Sequence, residues 1–94
     1  VKVPEDVRLA PAPGVATQTI EGGAVLVNMA SGQCFELNKV GLEIWHGIEG
    51  RQTPREIHDV LAGRYDVDSA VLMLDVANLL EALVDAGLAQ VGSA

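Results

Sequence analysis

The stretch Gly32–Trp45, GQCFELNKVGLEIW, changes its hydrophobic period halfway along. Phe35 and Leu37 alternate with Cys34 and Glu36, the two-residue period of a half-buried strand. Val40, Ile44, Trp45 and Ile48 then recur at three- to four-residue spacing, which lines one face of a helix. No turn-rich loop separates the two halves. Asn38 stands at the junction, where its side chain can accept from amides of the first helical turn, and Leu37 is spaced to staple onto Leu42. The stretch therefore predicts a strand over Gln33–Leu37 running straight into a helix that ends near Gly47–Gly50.

On the N-terminal side of this stretch, VATQTI (Val15–Ile20) and AVLVNM (Ala24–Met29) have strand composition and are joined through Glu21, Gly22 and Gly23 as a tight hairpin. Ala30–Gly32 is a second short turn, so a three-stranded antiparallel meander is expected. Upstream, Pro4, Pro11, Pro13 and Gly14 mark residues 1–14 as an extended lead-in along the surface, leaving residues 15–91 as the domain. Downstream, TPRE sets Thr53 as a cap, Pro54 at the first helical position and Glu56 to close a capping box. That second helix would bury Ile57, Val60, Leu61 and Tyr65. A third helix is capped by Asp68, runs to Ala86 and stops at Gly87, with Leu88 placed to pack back. The fold class is α+β, a winged helix-turn-helix-like domain in which the meander precedes three α-helices.

The bulk properties narrow the function. A chain of 94 residues is one domain, and 49% hydrophobic content with a single Phe, Trp and Tyr means a core of Val, Leu, Ile and Ala. Thirteen acids against six bases give a formal charge of -7, and no Lys or Arg follows Arg64. That charge map opposes nucleic acid and anionic lipid, because phosphate neutralisation supplies most of such affinity. The apolar runs of the third helix are broken by Asp75, Asn78, Glu81 and Asp85, so none spans a membrane. With no signal peptide at the start and one cysteine, a cytoplasmic protein is expected.

Catalytic and metal chemistry find little support. Cys34, His46 and His58 fit no zinc spacing, and the two histidines read as surface residues. Asp66–Asp75 fails as a calcium loop, with Ala70, Val71 and Ala77 where ligands and the turn glycine belong. No phosphate loop or nucleophile elbow occurs. The expectation is a protein without cofactor, metal or catalytic residues.

A peptide-binding mode remains. The third strand of a meander pairs only with its predecessor, so its other side offers free backbone groups to an extended peptide. The third helix also carries more apolar surface than one core stripe needs. Val76, Leu80 and Leu83 form one line; Leu72, Asp75 and Leu79 lie beside it, and Val71, Leu74, Asn78 and Ala82 lie on the opposite flank. The same edge and helix could also pair with a second copy of the chain, a self-associating homodimer.

At LNKVGLEIW (Leu37–Trp45) the chain resembles the PqqD-like family, the leader-recognition domains of pathways for ribosomally made, post-translationally modified peptides. The similarity extends through Ala24–Asn38, Thr53–Asp68 and Asp75–Leu88. It implies a noncatalytic domain that captures a precursor's leader as an added strand, beside the third helix, and presents it to a separate protease, cyclase or radical enzyme. Carried over by position, the peptide-binding residues are Gln33, Cys34, Phe35, Glu36 and Leu37 on the strand and Leu72, Asp75, Val76 and Leu79 on the helix. Val71, Leu74 and Asn78 form the alternative flank. Where the pyrroloquinoline quinone members have a C-D-G segment after the first helix, this chain has Ile48–Gly50, which favours a general or lasso-peptide-type member.

Overall fold

The computed structural model describes residues 3–91. Along them the elements are β1 (Leu9–Pro11), β2 (Val15–Ile20), β3 (Gly23–Asn28), β4 (Cys34–Asn38), α1 (Lys39–Glu49), α2 (Pro54–Arg64), α3 (Ser69–Asp85) and β5 (Ala89–Val91). Strands β2, β3 and β4 form an antiparallel sheet in that order, so β4 is an edge. The turn between β2 and β3 holds only Glu21 and Gly22, because Gly23 already pairs with Ile20. Gly22 takes a φ of 81° at the second turn position, where a residue with a Cβ would be strained.

The strand-to-helix junction is direct. Asn38 closes β4 and caps α1, its Oδ1 accepting from the Gly41 amide at 2.8 Å. Thr53 and Glu56 form the reciprocal capping box at α2, with Pro54 in its first turn. Asp68 caps α3 by accepting from the amides of Ala70 and Val71. At its other end, Leu88 N–H reaches the Leu83 carbonyl and Gly87 N–H the Val84 carbonyl, with Gly87 at φ 75°. These two bonds are the Schellman pattern, and they drop Leu88 into the core at 0% exposure.

The core lies between the inner face of the sheet and the three helices. Leu26 and Leu37 from the sheet meet Ile44, Trp45 and Ile48 of α1, Ile57 and Leu61 of α2, and Leu72, Val76, Leu80 and Leu83 of α3. Trp45 is 1% exposed, and its indole N–H donates to the Thr17 hydroxyl on β2 at 3.1 Å. The buried indole therefore has its polar atom satisfied.

Three expectations need correction. Residues 9–11 of the lead-in are a strand, paired antiparallel with Ala89–Val91, and Leu9 is wholly buried. Three-residue strands are too short to show alternation, and Pro11 disguised this one; it is tolerated because β1 has a partner on one side only. His58 is buried, not on the surface, with Nε2 near the Ser69 carbonyl and hydroxyl and Nδ1 near Asp59. Val60, expected on the buried face of α2, is 45% exposed. The polar His58 occupies the inward position because the start of α3 supplies the hydrogen bonds that make its burial tolerable.

Candidate functional site

The hydrogen-bond phase of the sheet determines what the β4 edge offers. Asn28 N–H donates to the Gln33 carbonyl at 2.8 Å, just beyond the paired residues Val27 and Cys34. In an antiparallel ladder the directly bonded pairs recur every second residue, so Leu26–Phe35 and Ala24–Leu37 are also bonded pairs. On the other side of β3, Met29 N–H donates to the Gly14 carbonyl at 2.9 Å, which assigns Val27, Val25 and Gly23 to β2. The two phases agree. Phe35 and Leu37 therefore turn their backbone groups inward to β3, and Cys34 and Glu36 turn theirs outward from the sheet.

Side chains follow the complementary alternation. Leu37 is buried and Phe35 half-buried on the face toward α1, whereas Cys34, Glu36 and Asn38 are exposed. The Cys34 thiol lies 3.6 Å from the Gly32 carbonyl, a weak contact within its own turn.

Beside this edge runs a groove of about 440 Å³, bounded by Glu36, Leu37 and Asn38 of β4, by Val40, Gly41 and Ile44 of α1, and by Asp75 and Leu79 of α3. A second space at the end of β4 shares Glu36, Leu37 and Asn38 with it and is lined also by Ile20, Glu21 and Gly22. Gly41 keeps the floor low. A Cβ there would lie 3.2 Å from Leu37 Cδ2 and 3.3 Å from the capping Asn38 Oδ1.

Of the residues expected at the site, the structure brings Glu36, Leu37, Asp75 and Leu79 to this groove, with Cys34 and Phe35 on the adjoining edge. Gln33 lies just before β4, its carbonyl occupied by Asn28. Val76 and Leu72, at 0% and 7% exposure, are packed in the core and support the wall from behind. Of the opposite flank only Leu74 lines a hollow, a different one in which it joins Met73 and Ala77 against Val3, Pro4 and Pro54, while Val71 and Asn78 are exposed. Asn38, Val40, Gly41 and Ile44 also border the groove and are absent from the expected set. Their signal was the L-N-x-x-G spacing itself, which also reads as a helix cap.

The site is acidic. Neither Glu36 nor Asp75 has an ion-pair partner among the described residues, and no Lys or Arg lines the groove. Three arginines are engaged elsewhere: Arg8 with Glu56, Arg55 with Glu5 and Arg64 with Glu43. Among the described residues, no group of three or more His, Cys, Asp and Glu is arranged to hold a metal ion, and no helix is long and apolar enough to cross a membrane.

Comparison with known proteins places this arrangement. The structure "TbiB1 in Complex with the TbiA(beta) Leader Peptide" superposes with a TM-score of 0.80 at 30% identity, covering 90% of this chain and 98% of that one. "Lasso peptide synthetase B1 complexed with the leader peptide" shares the fold, with a TM-score of 0.79 at 23% identity over 87% of this chain and 96% of that one. No curated protein sequence matches significantly. The family model described as "Coenzyme PQQ synthesis protein D (PqqD)" matches residues 23–89, from the first residue of β3 to the first of β5. The chain belongs to the PqqD family.

Proposed function

We propose that this protein is a noncatalytic recognition domain that captures the leader of a ribosomally made precursor peptide as an added strand on β4. The observation that carries the reading is the free edge at Cys34 and Glu36 lying directly beside an apolar groove walled by α3. An extended peptide gains main-chain hydrogen bonds from such an edge and specificity from the alternate side chains it lays into the groove. The likeness to TbiB1, which is seen with a leader peptide and is 30% identical over most of the chain, supports the same use of this surface. The second partner is a separate modifying enzyme or protease that receives the held precursor, and the missing C-D-G segment favours a lasso-type pathway over a cofactor pathway.

The test is a titration of the domain with fluorescent synthetic leaders from the short open reading frames flanking its gene, followed by anisotropy. Saturable binding of one leader at submicromolar concentration is expected. No binding by any of them to the folded domain, with a mass that rises with concentration, would instead identify a self-associating module.

A further inference from the structure

We propose that the segment captured on β4 reads apolar–basic–apolar, with its Lys or Arg directly opposite Glu36. The inference rests on the leader-binding reading above and names what that site selects. It starts from the ladder phase. Because Glu36 turns its backbone N–H and C=O outward, an incoming strand that continues the antiparallel order of the sheet places one residue in a bonded pair with it. Side chains of directly opposed residues lie on the same face, with Cβ atoms about 5 Å apart, so the opposed residue meets the Glu36 side chain.

On that face the row across the sheet is Gln18, Val25 and Glu36. Glu36 is exposed, forms no ion pair among the described residues, and is joined by Glu21 in lining the space beyond the end of β4. A like charge set opposite Glu36 is destabilising, a neutral residue gains nothing from it, and a Lys or Arg completes a cross-strand pair.

The residues on either side of the basic one point the other way, to the face of Phe35 and Leu37. There the groove presents Leu37, Val40, Ile44 and Leu79. Apolar side chains cover these four residues, and an acid set among them would be desolvated and repelled by Asp75 on the same wall.

Two measurements on the leader that binds in the titration decide the matter. The first finds the register by thiol exchange, using copies of that peptide that each carry one activated cysteine. Cys34 shares the Glu36 face two residues away, so trapping should peak two residues from a Lys or Arg. The second is a charge swap. Changing that Lys or Arg to Glu should weaken binding about fivefold, and Glu36→Lys should restore it toward the original affinity. Trapping that peaks two residues from neutral or acidic positions only, or a swap that fails to rescue, would overturn the apolar–basic–apolar rule while leaving leader binding intact. If no leader binds at all, the reading on which the rule rests falls, and the rule with it.

Discussion

A Cβ on Gly23 would lie 1.8 Å from the Leu37 carbonyl oxygen and 2.8 Å from its carbon, so this position accepts no side chain without moving β4 from β3. Gly23→Ala should lower the melting temperature and weaken leader binding together, since the displaced backbone is the proposed docking edge; thermal denaturation and anisotropy measure the two. Leu79 is different, being half-buried on the groove wall. Leu79→Ala should leave the fold intact and cost about 1–3 kcal/mol of leader binding, measured by anisotropy. Glu43 makes a prediction about pH. Its carboxylate accepts from the Tyr65 hydroxyl and pairs with Arg64, and Lys39 adds a weaker attraction; together they outweigh burial and hold it below its ordinary 4.5. The folded state thus binds fewer protons than the unfolded chain around that pH. The stabilisation is present above 4.5 and is lost as pH falls through the lower folded value. Tyr65→Phe should flatten the acid limb of a melting-temperature profile.

Among the secondary-structure elements, the helix caps carry much of the local specification. Thr53→Ala removes the acceptor for the Glu56 amide and one half of the capping box, and should cost about 0.5–2 kcal/mol in chemical denaturation. Asn38, Thr53 and Asp68 were legible as caps because each precedes a helical apolar pattern at fixed spacing, and so the three helices and the strand-to-helix junction could be read directly. The meander was legible through alternation and its glycines. The β1–β5 pair was not, because pairing between residues 9–11 and 89–91 spans almost the whole chain and leaves no local pattern. The consequence is testable: Leu9→Ala, in what reads as a surface lead-in, should cost about 2–5 kcal/mol of stability. The groove was half legible. Periodicity nominated both flanks of α3, but only packing puts Asp75 and Leu79 beside β4 and sends Val76 into the core.

For the whole molecule, the division of charge follows the fold. Arg8, Arg55 and Arg64 are tied to glutamates around α1, α2 and the lead-in, while the groove side keeps Glu36 and Asp75 without such partners. Exposed pairs of the first kind contribute little to stability. Their placement nonetheless leaves the proposed peptide-binding side negative in a chain already at -7. The hydrophobic core sits behind this side and is complete without a ligand, since the edge backbone and the groove are the surfaces that a strand would cover. On the proposed reading the leader becomes a fourth strand in the sheet of β2, β3 and β4. Amide hydrogen exchange resolved by residue, with and without saturating leader, tests it most directly. Cys34 and Glu36, whose N–H groups face outward, should gain strong protection, whereas Phe35 and Leu37, already bonded to β3, should change little. Saturating leader that leaves Cys34 and Glu36 exchanging as before would contradict it.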